Sequence, residues 1–164
     1  AEPGAADDDH RRLSETADFR SLNLQQFEVR HAEEAMRGEE PVRGFYTYVT
    51  QMRVPGMSWS AEVDGAIVAS AGLIPLWAGV AEAWMIGGDD IGRHQVKVAR
   101  QIRTMFDDVM HAREIYRAQA NIHHKFDKAI RLAEWLGFEN EGLMCRFGAE
   151  GDDYFRYAKV LNGD

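Results

Sequence analysis

The clearest pattern of apolar and polar positions spans residues 115–147. Apolar and polar side chains alternate over residues 115–122, which is the period of two of a half-buried strand. From about His124 onward the apolar residues recur at steps of three and four, which predicts the buried stripe of an amphipathic helix. This stripe consists of Phe126, Ala129, Ile130, Ala133 and Leu136. Gly137 predicts the helix end, because glycine adopts a left-handed conformation at little steric cost, and a further strand is predicted over residues 143–147.

The residues before this segment predict a strand, two helices and three consecutive strands. The predicted bounds are 18–24 for the first strand, 25–36 and 41–54 for the helices, and 58–63, 66–76 and 81–86 for the three strands. The segment 41–54 has apolar residues at helical spacing, although Val49 and the threonines near it would also suit a strand. Asp64-Gly65 is a strong hairpin signal.

A further helix is predicted over residues 93–111, a turn over 148–153 and a last strand over 154–161. The order of the elements predicts an α+β fold, in which a mixed, mostly antiparallel sheet of six to seven strands is flanked by about four helices. A chain of 164 residues has the length of one domain and is long enough to bury a core.

Composition and charge narrow the function classes. The chain is 45% hydrophobic and 28% charged, which is ordinary for a soluble globular protein. We expect no membrane span, because no apolar run approaches the roughly 20 residues that one needs. We also expect no secretion, because the N-terminus has no apolar signal core. The one cysteine, Cys145, excludes an internal disulfide, and the histidines show no spaced zinc pattern, so no metal site is expected. The net charge of −8 disfavours direct nucleic-acid binding.

Residues 1–17 form a polar, acidic stretch that contains three consecutive aspartates and has nothing to bury. Such a composition is typical of a disordered arm, so the folded domain is expected to span residues 18–164. Our hypothesis is that the arm docks on a partner or on a neighbouring copy of the chain. Deletion of residues 1–17 without any change in assembly would contradict it.

The element order and one motif resemble the GNAT N-acetyltransferase family. The motif is similar to the family's LGF-x-x-EG segment, and its residues here are Leu136, Gly137, Phe138, Glu141 and Gly142, followed by Arg146. Asn121, before the second helix that the family conserves, also matches. The resemblance covers nearly all of the chain after about residue 18 and implies a single GNAT domain.

Within that family, the details resemble GNAT-like proteins of tailed bacteriophages. Those proteins combine a late Gln-Ala strand and the LGF-E-EG segment with a G-x-x-G-x-D-Y turn, which here consists of Gly148, Gly151, Asp153 and Tyr154. The resemblance implies an internal virion or head–tail-associated protein. Expected partners are then other phage structural proteins or copies of this chain, and the expected location is the virion or the host cytoplasm.

Acetyl transfer from acetyl-CoA needs a phosphate cradle, an oxyanion donor and a base and acid of suitable pKa. The family's cradle is a glycine-rich loop before a helix, and the corresponding segment here is 87–101. Its glycines do not match the family spacing, and Asp89 and Asp90 bring negative charge to the place of the phosphates. The alternative that we favour is an ordinary turn with one of these aspartates as the helix N-cap, so acetyl-CoA binding is doubtful.

Candidate site residues follow from the resemblance. Glu82 opens the strand that lines the family's active site and is the candidate general base, although it also suits a solvated strand end. Residues that would contact acetyl-CoA are Met85, Ile86, Gly92, Arg93, His94 and Asn121. Many family members have a tyrosine that acts as the general acid at the position of Ala133, and an alanine has no proton to donate. His123 and His124 are adjacent and should point to different faces, which disfavours a shared metal.

These patterns leave three functions open. Ala133 and the ill-matched loop favour a non-catalytic structural or assembly component of a tailed-phage virion that retains the fold. The alternatives are an active acetyl-CoA-dependent N-acetyltransferase on a protein or small amine, and a coenzyme A binder without turnover. The LGF-x-x-EG segment does not separate them, because Gly137 and Phe138 are needed for the fold itself.

Overall fold

The computed structural model describes residues 22–36 and 44–162, which form one α+β domain. The elements, in chain order, are β1 (Leu22–Gln26), α1 (Val29–Ala35), α2 (Phe45–Met52), β2 (Ser58–Val63), β3 (Ala66–Trp77), β4 (Val80–Gly87), a 3₁₀-helix (Asp89–His94), α3 (Gln95–Ala112), β5 (Arg117–His123), α4 (Asp127–Trp135), β6 (Glu139–Met144) and β7 (Tyr154–Val160). The predicted arm over residues 1–17 and the domain boundary at residue 18 lie outside the described residues. None of the helices described is both long enough and apolar enough to cross a lipid bilayer.

The strands form one seven-stranded sheet in the order β1-β2-β3-β4-β5-β7-β6. Neighbouring strands are antiparallel except for β4 and β5, which are parallel. The predicted mixed, mostly antiparallel sheet is confirmed. The pair at the centre is parallel because the polypeptide leaves β4, crosses over one face of the sheet through the long helix α3, and re-enters the sheet as β5 in the same direction.

Helices cover the two faces of the sheet unequally. The larger core lies on the face covered by α3 and α4 and includes Phe106 of α3 and Ala133 of α4. A smaller core lies on the other face, between α1 and α2 and the central strands, and contains Trp84 of β4. The smaller core has no residue of β5, β6 or β7 among the residues described. On these three strands, the sheet face that points away from α4 is therefore not covered by α1 or α2.

Two turns follow the sequence signals closely. Asp64 and Gly65 have φ values of 50° and 80°, the left-handed pair that a tight hairpin between β2 and β3 requires. After α4, Gly137 has a φ of 91°, and its N–H donates to the carbonyl of Glu134. The N–H of Phe138 donates to the carbonyl of Ala133, which completes a Schellman motif and returns Phe138 to the core.

Several predicted bounds are wrong. The strand predicted over residues 143–147 is β6, which spans Glu139–Met144 and pairs with β7 along that length. Its exposed polar residues sit on an edge strand, where alternation is weak, and Arg146 already belongs to the turn with a φ of 55°. Phe126 is 53% exposed and precedes α4, so it is not part of the buried stripe.

The other differences are shifts at element ends. The strand predicted over 18–24 is β1, which continues to Gln26, and residues 18–21 lie outside the described part of the chain. The helix interpretation of 41–54 is confirmed over Phe45–Met52. The helix predicted from residue 93 begins at Gln95, because residues 89–94 form a separate 3₁₀-helix that Gly92, with φ 39° and ψ −120°, kinks away from α3.

Candidate functional site

A gap between β4 and β5 divides the sheet at its centre. The two strands pair at only three positions, of which Glu82↔Gln119 is the last. Both strands continue beyond it, β4 to Gly87 along β3 and β5 to His123 along β7. The inner edges of the two half-sheets therefore separate after Glu82.

The stretch of β4 beside the gap, residues 83–87, has backbone groups on its inner edge without a strand partner. Residues in a strand alternate in direction, so every second residue there points its N–H and C=O away from β3 and into the gap. Met85 and Ile86 lie on this stretch. The Met85 side chain packs against the larger core and that of Ile86 against the smaller one. One of these two adjacent residues therefore directs its backbone N–H and C=O into the gap, where they can pair with an extended ligand.

A chain of polar side chains crosses the start of the gap. The half-buried Glu82 accepts two hydrogen bonds at Oε1, from the Tyr48 hydroxyl at 3.2 Å and from Asn121 Nδ2 at 2.8 Å. Asn121 Oδ1 in turn accepts from Arg156 Nε at 2.8 Å. These four side chains come from α2, β4, β5 and β7, so their hydrogen bonds connect the two half-sheets.

The orientation of the Asn121 amide is fixed by its neighbours. Arginine only donates hydrogen bonds, so the atom that faces Arg156 must be the amide oxygen. The amide nitrogen then faces Glu82 and donates to it. Glu82 Oε2 makes no hydrogen bond with the residues that the structure describes. One oxygen of the carboxylate is thus held, and the other is available to a ligand.

Tyr48 is a neutral hydrogen-bond donor at ordinary pH. Burial raises the pKa of its phenol above the usual value of 10.0, and the charge of Glu82 and the hydrogen bond to it add to the rise. The sequence indicated neither Tyr48 nor Arg156 as a site residue. Tyr48 carries no motif, and Arg156 is placed only by the register of β7, in which it lies opposite Asn121.

The open face of β5, β7 and β6 carries polar side chains next to the gap. Arg117 of β5 reaches across β7 to form two hydrogen bonds with Glu141 of β6, at 2.8 and 2.5 Å. These bonds lower the pKa of the Glu141 carboxyl, and the charge of Arg156 lowers it further. Glu141 of the LGF-x-x-EG segment is therefore engaged in holding β5 and β6 together.

The loop between β4 and α3 packs closely against α1. A Cβ placed on Gly88 would lie 2.5 Å from the backbone oxygen of Ala35, so only glycine fits there without a shift. His94 is the N-cap residue of α3 and makes no side-chain capping bond, so the prediction of Asp89 or Asp90 as that N-cap is wrong. The first N–H groups of α3 thus donate no hydrogen bond to the side chain of their N-cap residue. The His94 ring is only 6% exposed.

His123 and His124 lie side by side, contrary to the prediction that they point to different faces. Their rings stack with centroids 4.8 Å apart, because β5 ends at His123 and the chain turns before α4. His124 Nδ1 donates to the carbonyl of Asp153 at 2.8 Å, whereas His123 Nδ1 accepts from the Lys125 N–H at 3.1 Å. Among the residues described, no three His, Cys, Asp or Glu side chains form a group that could hold a metal ion.

Ala133 lies in α4 with 6% of its surface exposed and packs in the larger core. It supplies no proton donor. Gly92 and Arg93, the other residues expected beside a cofactor, lie in the 3₁₀-helix before α3, at the same end of β4 as the gap. The structure therefore brings Glu82 and Asn121 together directly and puts Met85, Ile86 and the 3₁₀-helix along the following stretch of chain.

No protein-family model and no curated protein matches the sequence. Solved structures do match the fold. Ard1 from Thermoplasma volcanium superposes with a TM-score of 0.71 at 13% identity and covers 87% of this chain and 99% of its own. A GNAT-family acetyltransferase from Bacillus anthracis superposes with a TM-score of 0.62 at 13% sequence identity, and the match covers 85% of this chain and 95% of that structure. The microcin C7 self-immunity acetyltransferase MccE, solved with acetyl-CoA and AMP, superposes with a TM-score of 0.64 at 14% sequence identity. That match covers 86% of this chain and 93% of the MccE structure.

These structures match over nearly their whole length, and all three identities are below 25%, so the similarity establishes the fold. The chain has the GNAT acetyltransferase fold.

Proposed function

We propose that the chain is an acetyl-CoA-dependent N-acetyltransferase that acts on an amine. The observation that carries the proposal is the Glu82 carboxylate, held by Tyr48 and Asn121 where β4 and β5 separate. A carboxylate with one oxygen fixed and one available suits the removal of a proton from an attacking amine. The fold similarity to an acetyltransferase solved with acetyl-CoA supports the proposal.

The residues around the gap fit acetyl-CoA in two respects. The backbone of residues 83–87, with Met85 and Ile86, has free N–H and C=O groups for the amides of the pantetheine arm. The N–H groups at the start of α3, which the His94 side chain does not cap, follow Gly92, Arg93 and His94 and suit the diphosphate, since a helix N-terminus favours anions. The bound cofactor would supply an activated acetyl thioester.

The roles of the chain's own side chains follow from their hydrogen bonds. Glu82 is the proposed general base, and it accepts the amine proton at Oε2, directly or through a water. Tyr48 and Asn121 are positioning residues, because each donates to Oε1 and fixes the carboxylate plane. Arg156 fixes the Asn121 amide in the orientation that donates.

The test separates binding from turnover. At a hundredfold excess over its Kd, acetyl-CoA should stabilise the chain by about 2.7 kcal/mol, which a thermal shift measures. Glu82→Gln should keep this shift and lower turnover of an amine panel by about a hundredfold or more, as expected for loss of a general base. Glu139→Gln, on the exposed edge strand β6, is the matched control and should change neither. No shift at millimolar acetyl-CoA would overturn the proposal.

A second candidate is a non-catalytic structural or assembly component of a tailed-phage virion. Two observations favour it: Ala133 replaces the tyrosine that many GNAT enzymes use as the acid, and Asp89 and Asp90 add negative charge before α3. The G-x-x-G-x-D-Y turn at residues 148–154 adds the resemblance to phage proteins. Partners would then be phage structural proteins or copies of this chain, through residues 1–17.

Mass spectrometry of purified particles tests this second candidate. The chain should be present at a fixed copy number in particles and absent from particles made without it. Its absence from every preparation, together with turnover that depends on Glu82, would exclude the structural role. A thermal shift with acetyl-CoA without turnover of any amine would instead point to a coenzyme A binder.

A further inference from the structure

Arg156 is a half-buried cation whose hydrogen bonds go to weak or neutral acceptors. Its Nε donates to the Asn121 amide oxygen at 2.8 Å, and its Nη2 lies 3.6 Å from the sulfur of Met144. A guanidinium has five N–H donors, and a thioether is a poor acceptor for them. Within the described residues, no carboxylate lies within the 4.0 Å of an ion pair with Arg156.

The other basic side chains of the same two strands are paired. Arg117 of β5 forms its two hydrogen bonds with Glu141, and Lys159 of β7 contacts Asp107 at 2.5 Å. Glu141 feels the charge of Arg156, but both its oxygens already accept from Arg117. Removing a charge from water without an ionic partner is costly. Arg156 therefore differs from Arg117 and Lys159, because no carboxylate of the described residues is paired with its positive charge.

Space is open beside this guanidinium. Arg156 lies between Asn121 of β5 and Gly142 of β6 in the strand register. Gly142 has no side chain, and a Cβ added there would meet no atom within 4 Å. The smaller core under α1 and α2 does not extend over these strands. A ligand at Glu82 can thus continue over the sheet to Arg156.

We propose that Arg156 binds an anionic group of the acceptor, so that the substrates of the site are amines that carry a carboxylate. This inference rests on the proposed acetyl transfer. Glu82 takes the amine end, and Arg156 takes the carboxylate through its free N–H groups, which match a carboxylate in geometry. The two residues flank the single carboxamide of Asn121, so the amine and the carboxylate stand several bonds apart, as in an ω-amino acid.

The same arrangement selects against polyamines. A diamine whose first nitrogen lies at Glu82 would bring its second positive charge to the guanidinium of Arg156. Like charges at such a distance repel, and this repulsion adds to the specificity that the carboxylate contact provides.

The test compares matched ligands in the presence of saturating coenzyme A. Ligand-observed NMR titration measures the Kd of 4-aminobutyrate, 5-aminopentanoate and 6-aminohexanoate, and of the alkylamines and diamines of the same chain length. The best aminocarboxylate should bind at least about tenfold tighter than its matched alkylamine. Arg156→Gln keeps a donor for Asn121 and should abolish this preference. Arg156→Lys should keep part of it, and Arg131→Gln, exposed on α4 on the other face, should keep all of it.

The outcomes distinguish the two proposals. Equal binding of aminocarboxylates and alkylamines in the wild type, or a preference that survives in Arg156→Gln, would overturn the role of Arg156 even if acetyl-CoA binds and turns over. An aminocarboxylate preference that depends on Arg156, without any acetyl-CoA thermal shift, would support the anion site and overturn the acetyltransferase. Cooperative thermal unfolding of Arg156→Gln without ligand serves as the check that the variant is folded, so the check does not depend on acetyl-CoA binding.

Discussion

Asn121 donates a hydrogen bond of 2.8 Å to Glu82 from two residues beyond the last pair of β4 and β5. In Asn121→Asp, two carboxylates would face each other at this distance, and Arg156 would compensate only one of the two charges, so the pair should retain a proton to higher pH. The folded state would then bind more protons than the unfolded state, so stability relative to the wild type should fall as pH rises from 5 to 8. Denaturant titrations at several pH values measure this slope.

Asn140→Asp is the matched control for that variant. Asn140 accepts the Gly142 N–H at Oδ1, and an aspartate accepts the same bond. It lies on the exposed edge strand, so its effect should stay within about 0.5 kcal/mol at every pH, as for most surface changes. An Asn121→Asp curve that runs parallel to the wild type would mean that the two side chains do not touch in solution.

The contact between Asn121 and Glu82 marks the limit of what the sequence predicts. Alternation, hairpin signals and Gly137 predict the strands and the helix end, because those depend on neighbouring residues. Glu82 and Asn121 are 39 residues apart, and their contact depends on where the pairing of β4 and β5 stops. That point depends on packing of whole half-sheets, which no local pattern encodes. The resemblance to GNAT proteins indicated both residues but not the contact between them.

The edge of the sheet misled the sequence analysis for a related reason. β6 pairs on one side only, and most of its side chains are exposed, so its residues do not have to alternate in polarity. Leu143 and Phe147 are apolar but exposed, and they consequently placed the predicted strand at residues 143–147. Arg156 was missed although β7 was predicted, because its importance lies in the absence of a carboxylate near it in the described structure.

The buried His31 should make the folded protein less stable in mild acid. Its side chain is fully buried, and its Nδ1 accepts from the Glu28 N–H and lies 2.9 Å from Ser60 Oγ. Burial lowers its pKa below the usual 6.5; nearby Arg30 also lowers it, while Glu28, Glu34 and Glu62 oppose the shift. The unfolded chain therefore takes up a proton first, and stability should fall as pH drops below about 6.5. Denaturation between pH 5 and 8 measures this dependence.

Two variants separate the charge of His31 from its hydrogen bonds. His31→Gln retains a side chain suited to this third position of α1, where it forms a capping box with Glu28, but cannot take up a proton. Its stability should vary less between pH 5 and 7 than that of the wild type. Ser60→Ala removes the hydroxyl and should lower stability at all pH values with the slope retained. An unchanged slope in His31→Gln would assign the acid sensitivity to another group.

Glu141 should contribute modestly to stability and not to cofactor binding. Its paired hydrogen bonds with Arg117 join β5 to β6, but its side chain is 40% exposed, so Glu141→Gln should cost no more than about 1 kcal/mol at pH 7. The bonds to Arg117 lower the Glu141 pKa, so this contribution is present above pH 4.5 and is lost as pH falls through the lowered value. Denaturation at pH 7 and pH 3.5 checks both statements. A weakened acetyl-CoA shift would contradict the structural role.

Gly88 couples the loop before α3 to the end of α1. A Cβ on this residue would lie 2.5 Å from the Ala35 backbone oxygen, which cannot rotate away as a side chain can. Gly88→Ala should therefore cost about 1–3 kcal/mol, as overpacking of a close contact usually does. The loop leads into the first turn of α3, so its displacement should also reduce the acetyl-CoA thermal shift.

Gly65→Ala is the control that makes the Gly88 prediction specific. Gly65 has a φ of 80°, and a Cβ there meets no atom within 4 Å, so its substitution should cost only the backbone strain of about 1–2 kcal/mol. The hairpin turn that contains Gly65 joins β2 and β3, away from the loop that enters α3, so this variant should keep the full acetyl-CoA shift. If both variants reduce the shift in proportion to their loss of stability, the loop at Gly88 has no particular part in cofactor binding, and the diphosphate position at the start of α3 is wrong.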